Sequence, residues 1–94
     1  MARKMAKTNK RIYAIKIREK AEKDLLKIPL PWQERIRDAI DVLELDPFYG
    51  EKMWGEFANC RKIKVWPYRI IYEIKKKERI IYICRLDNRS HVYK

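Results

Sequence analysis

The chain has 94 residues and a formal net charge of +11, with 47% hydrophobic and 39% charged residues. That length allows one domain burying roughly 60–65% of its unfolded surface, and the hydrophobic fraction excludes a disordered polymer. A positive excess of this size attracts polyanions, so nucleic acid or an acidic protein is the expected partner and a membrane is not. Residues 1–11 hold Arg3, Lys4, Lys7, Lys10 and Arg11 and read as a disordered basic arm. Nothing in the chain reads as a membrane span or a secretory leader. The remaining residues, 12–94, read as a single domain. Residues 12–18 are short and β-branched, a first strand. From Glu19 the period becomes helical, with Ala21, Leu25 and Ile28 at i, i+4 and i+7, and Pro29 stops that helix. Pro31 suits the first turn of a second helix, where a missing N–H is harmless. Trp32, Ile36, Ala39, Ile40 and Leu43 form its apolar stripe, and Pro47 is expected to end it. About three residues join the helices, which predicts an antiparallel hairpin. Residues 47–59 read as a loop anchored by Phe48, Tyr49, Trp54 and Phe57. Strands follow at about 60–66, 68–75 and 79–86. The order βααβββ, with the hairpin on one face of a small, mostly antiparallel sheet, is an α+β domain.

Strand alternation then sorts the side chains. Ile63 and Val65 fall on one side of their strand, Lys62 and Lys64 on the other. After Trp66-Pro67, Ile70, Tyr72 and Ile74 share a side, and Arg69 takes the opposite one. If both apolar sets enter one core, Lys62, Lys64 and Arg69 emerge together. Three cations on one sheet face make a site for phosphates.

Two cysteines do not make a disulfide scaffold, and Cys60 and Cys84 are expected apart as free thiols of a cytoplasmic chain. One histidine and no carboxylate cluster give no metal signal, and no cofactor is implied. A surface rich in Lys, Arg and Glu also suits a heat-adapted protein, but that reading does not account for a surplus of one sign.

Gly50-Glu51-Lys52-Met53-Trp54-Gly55 ahead of the sheet, Tyr68-Arg69-Ile70-Ile71-Tyr72 on a strand and the ending Arg89-Ser90-His91-Val92-Tyr93 resemble the RelE/ParE superfamily of toxins from toxin–antitoxin pairs. The resemblance covers nearly all of residues 12–94. It implies, for the RelE-like branch, a ribosome-dependent endoribonuclease that cleaves mRNA in the A site without a metal and inhibits translation. For the ParE-like branch it implies inhibition of DNA gyrase. On the RelE pattern, Lys62 and Lys64 match a lysine pair on the second strand, Arg69 the arginine after a tyrosine, and Tyr93 the tyrosine near the C-terminus. The arginine or histidine often found just before the ending is here Asp87. Arg89, Arg85 or His91 then fills that role, Arg89 first because it belongs to the shared ending. Arg85, His91 and Trp66 are assigned to substrate binding. The implied partners are an acidic antitoxin, the ribosome and mRNA.

The chemistry gives these residue types a reason. When a 2′-hydroxyl attacks the adjacent phosphate, the phosphorane carries extra negative charge, which fixed cations stabilise. Arg69 grips two oxygens in a fork, whereas Lys62 and Lys64 act as point charges. Tyr93 serves as base or orients the hydroxyl; holding it half-ionised at pH 7 takes about 4 kcal/mol from neighbouring cations. Each residue also has a simpler reading. Lysines on a strand guard against edge-to-edge pairing, Arg69 pairs with Glu73, and Tyr93 pins the C-terminus. A basic nucleic-acid-binding module with weakened catalysis stays open because of Asp87.

Overall fold

A computed structural model describes residues 13–88. The basic arm 1–11 and the residues Arg89, His91 and Tyr93 lie outside the described residues. The elements are β1 (Ala14–Ile17), α1 (Glu19–Leu26), α2 (Leu30–Val42), β2 (Glu51–Lys52), a 3₁₀ turn (Gly55–Phe57), β3 (Cys60–Val65), β4 (Tyr68–Lys75) and β5 (Ile80–Asn88). The sheet order is β1-β5-β4-β3-β2, with β1 parallel to β5 and every other pair antiparallel. The expected α+β architecture holds, with β2 as one more, two-residue strand.

The helices form where the apolar period runs. α1 opens with Glu19 and Glu22 in its first turn, where carboxylates suit the positive end of the helix dipole. It closes as Lys27 and Ile28 bond back to Asp24 and Leu25 at 3.1 Å, a tightened last turn. α2 has proline at its start, as expected. It ends at Val42, ahead of Pro47. Leu43 and Glu44 bond three residues back, to Ile40 and Asp41, so a tightened turn, and not the proline, sets the end.

The core lies between the helices and one sheet face. Ala21, Leu25, Ile36, Ile40 and Leu43 meet Ile63, Tyr68, Ile70, Tyr72, Ile81, Ile83 and Leu86. Each large side chain buried this way stabilises the fold by about 1.5–3 kcal/mol. Trp32 packs at its edge, 5.9 Å from the Tyr68 ring. The hairpin and its core thus cover one face of the sheet, and the chain's candidate chemistry is carried on the other.

One expectation for the loop is corrected. Phe48, Tyr49, Trp54 and Phe57 are not apolar anchors; they are 37 to 76% exposed. The loop is held by polar contacts instead. The fully buried Tyr72 hydroxyl donates to the Pro47 carbonyl at 2.8 Å and accepts from the Gly50 N–H at 2.9 Å. Arg61 donates to the Gly50 and Phe48 carbonyls at 2.7 and 3.3 Å. Gly50 is required here, because a Cβ would stand 2.7 Å from the Lys62 carbonyl oxygen and 2.8 Å from the Tyr72 hydroxyl.

Candidate active site

The site is a consequence of sheet register. β3 and β4 are joined across Trp66-Pro67, a cis peptide bond, and pair Ile63 with Ile70 and Val65 with Tyr68 on the core side. Directly opposed residues share a face. The pairs Lys64–Arg69 and Lys62–Ile71 are therefore on the open side. The predicted convergence of Lys62, Lys64 and Arg69 is what the register produces.

β5 extends this face through a break in its own alternation. Ile81 and Ile83 enter the core, and so does Leu86, three residues further on. A bulge in β5, opposite the Ile71–Tyr72 step of β4, absorbs the change: Tyr72 pairs with Ile83, whereas Ile71 pairs with Arg85, leaving Cys84 as the extra residue. The bulge puts Arg85 and Asp87 on the open side. Two rows result. Lys64, Arg69 and Asp87 form one, and Lys62, Ile71 and Arg85 the other.

The charges in these rows are unequally engaged. Arg85 pairs with Asp87 at 3.3 Å and Lys62 with Glu51 at 3.9 Å. Lys64 and Arg69 have no ion pair among the described residues. Glu73, the simpler partner considered for Arg69, is held by Lys75 at 3.2 Å and Arg18 at 3.9 Å. The Arg69 Nε is buried without a hydrogen-bond partner, a condition that normally calls for explanation in a folded protein. Ile71, 4% exposed, makes an apolar floor between Lys62 and Arg85. Low polarity beneath cations strengthens their pull on an anion above.

Trp66 stands on the turn beside the Lys64–Arg69 row and is 64% exposed. β5 ends at Asn88, opposite Tyr68 and at the same end of the sheet. The two cysteines, expected apart, sit on the strands flanking β4 as free thiols. Burial, then Cys84 and then Glu73, push the Cys60 thiol above its ordinary pKa. Among the described residues no three His, Cys, Asp or Glu side chains are grouped as a metal site requires. No described helix is long and apolar enough to cross a membrane.

Residues 15–93 match the ParE toxin of type II toxin–antitoxin systems (parDE). The chain belongs to that family. It is thereby a toxin of the RelE/ParE superfamily, and the fold agrees. The RelBE2 toxin–antitoxin complex of Mycobacterium tuberculosis matches with a TM-score of 0.74 at 25% identity, over 82% of this chain and 98% of that one. The isolated Escherichia coli RelE toxin matches with a TM-score of 0.69 at 26% identity, over 86 and 90%. The chromosomal ParDE system of Pseudomonas aeruginosa shares the fold with a TM-score of 0.67 at 21% identity, over 82 and 96%. No curated protein matches the sequence. Both branches of the superfamily therefore lie near this toxin in structure.

Among the site features, the bulge and the Ile71 floor escaped the sequence reading. The signal for the bulge was present: Ile81, Ile83 and Leu86 do not fit one uninterrupted alternation.

Proposed function

We propose that this toxin is a RelE-like endoribonuclease that cleaves mRNA in the ribosomal A site through its own side chains, and so inhibits translation in the cytoplasm. The observation that carries the reading is the Lys64–Arg69 row, two cations on one sheet face that have no ion pair among the described residues. A phosphate meets the terminal guanidinium nitrogens, whose fork suits the equatorial oxygens of a phosphorane. The 2′-oxygen attacks phosphorus as its proton passes to Tyr93, and the bond from phosphorus to the 5′-oxygen breaks. The leaving 5′-oxygen takes up a proton as it departs, and Arg89 is assigned as the group that supplies it, with Arg85 or His91 as alternatives. Lys62 and Lys64 hold the charge that develops between. Trp66 offers a stacking face for a splayed base.

The net charge of +11 suits an acidic antitoxin as partner, and the M. tuberculosis relative is a toxin–antitoxin complex. Charge complementarity of this kind speeds association and blocks the phosphate site. A ParE-like gyrase inhibitor is the second reading, favoured by the family match. Asp87, in a position where the RelE pattern often carries a cation, favours a binding module of weakened catalysis. Primer extension on mRNA from programmed ribosomes, beside a gyrase supercoiling assay, decides among them. A-site cleavage is the expected result. Inhibited supercoiling with intact mRNA would overturn it.

A further inference from the structure

The loop from Pro47 to Asn59 carries a second cationic site that the catalytic rows do not use. Lys52 and Arg61 are register partners on β2 and β3. Alternation along β3 points Arg61 to the Tyr72 side, opposite to Lys62 and Lys64. There the cations interleave with exposed aromatic rings. The Lys52 ammonium lies 5.4 Å from the Trp54 ring centroid. The Arg61 guanidinium and Lys76 ammonium lie 5.1 and 5.5 Å from that of Phe48. Between them is a cavity of about 340 Å³ lined in part by Phe48, Lys52, Asn59, Arg61, Lys75 and Lys76. That volume is within the usual range of ligand sites. Its one carboxylate, Glu73, is already held by Lys75 and Arg18, so little negative charge is left to repel an anion.

Exposed aromatic rings on a mobile loop would need no explanation, but these are on a braced one. Tyr72 and Arg61 fix residues 47–50, and the Met53 N–H donates to the Cys60 carbonyl at 3.1 Å. Trp54 is thereby held outward at 76% exposure. Aromatic faces alternating with cations are the means by which proteins hold single-stranded nucleic acid, bases on the rings and phosphates on the charges. β2 is an edge strand of only two residues, so an RNA leaving the Lys62 end of the catalytic face meets Lys52 and Trp54 on rounding that edge.

We propose that Trp54, Lys52, Lys76 and the adjoining cavity form a second RNA-binding site, which takes a single-stranded or looped-out segment outside the cleavage site. The inference rests on the endoribonuclease reading for its choice of RNA over an acidic peptide. It concerns binding, and Lys52, Trp54 and Lys76 take no part in the chemistry.

The probe is a labelled single-stranded RNA of mixed sequence, with affinity read by anisotropy across a salt series. Trp54→Ala should weaken binding on the order of 5- to 150-fold, the usual range for one stacked base, while Trp54→Phe retains most of the affinity. Lys52→Ala/Lys76→Ala should reduce the log–log salt slope by about 1.4, from about 0.7 per contact, with the cleavage rate on saturated ribosomes unchanged. Lys20→Ala/Lys23→Ala removes the same charge from the far surface of α1 and should alter affinity less than twofold. The proposal is overturned if that control pair weakens binding as much, since net charge alone would then act. It is also overturned if Trp54→Ala binds RNA normally, or if the variants weaken only the antitoxin complex. The two readings fail separately. A wild type that does not cleave, yet loses RNA affinity with Trp54, sinks the catalytic reading and keeps this one.

Discussion

On the endoribonuclease reading, Arg69→Ala should cut cleavage by about 10²–10³-fold and leave the fold nearly intact, because the side chain lies on the face away from the core. Its neighbours in the row are Lys64 and Asp87, and the core residues Ile70 and Tyr72 point the other way. Truncation gives up the packing of two methylenes, at about 0.8 kcal/mol each. It also removes a buried donor whose unmet bond costs about 1–3 kcal/mol. The two nearly cancel, so stability should change by no more than about 1 kcal/mol, or about 4–8 °C in melting temperature for a domain of this size. Loss of a preorganised donor to the phosphorane removes about 3–4 kcal/mol of transition-state stabilisation, which is a rate loss of about 10²–10³-fold. Arg69→Lys keeps the charge without the fork and should recover part of that rate. Single-turnover primer extension on programmed ribosomes, beside a thermal melt, measures both quantities. A melt lowered by far more than 8 °C would place Arg69 in the fold. A rate within tenfold of wild type would remove it from the chemistry.

Lys62→Ala/Lys64→Ala should lower the rate on saturated ribosomes, since the proposed mechanism assigns both lysines to charge that develops in the transition state; a variant impaired only below saturation would make them binding residues. Tyr72→Phe should destabilise by about 2–4 kcal/mol, because it strands the buried Gly50 N–H and Pro47 carbonyl, and chemical denaturation measures that loss directly. Cys60 has a raised pKa in the fold, so the unfolded chain loses that proton first. The contribution is complete below the unfolded value near 9, and stability should fall as pH rises from there toward the folded value; a melt series from pH 7 to 10 on wild type and Cys60→Ser checks the sign. Asp87→Asn removes a negative charge one strand from Arg69. It should raise RNA affinity and rate by up to about fivefold, since the charge, partly offset by Arg85, is worth on the order of 1 kcal/mol or less to a nearby phosphate.

The open face was legible because its logic is binary. Once Ile63, Val65, Ile70 and Tyr72 are assigned to one core, alternation leaves Lys62, Lys64 and Arg69 no other side. Position along β5 was harder. There Ile83 and Leu86 conflict under strict alternation, and only the bulge opposite Ile71/Tyr72 puts Arg85 and Asp87 beside Arg69. The loop was misread for a different reason. Hydrophobicity suggested that Phe48 and Trp54 hold it down, while the bracing comes from Tyr72 and Arg61, a hydroxyl and a guanidinium that reach its backbone. β2 has two residues, both charged. No periodicity can be read from so short a strand; pairing with β3 alone defines it.

Asp87 is the residue on which the functional readings diverge, and its surroundings limit the damage it can do. Its carboxylate is engaged by Arg85 at 3.3 Å, so it reaches Arg69 as a partly neutralised charge. Lys62, Lys64, Arg69 and Arg85 still outnumber Glu51, Glu73 and Asp87 on this face. A phosphate is therefore still attracted to this face, at an affinity reduced by one unfavourable charge. The three readings then predict different responses to Asp87→Asn. An endoribonuclease gains cleavage rate and RNA affinity together. A binding module without effective catalysis gains affinity alone. A gyrase inhibitor has no phosphorane to stabilise, and mRNA on programmed ribosomes stays intact in wild type and variant alike. A fall in cleavage rate would mean something else again: that the Asp87 carboxylate itself takes part in the proton transfer, and that the departure from the RelE pattern is a substitution of chemistry and not a loss of it.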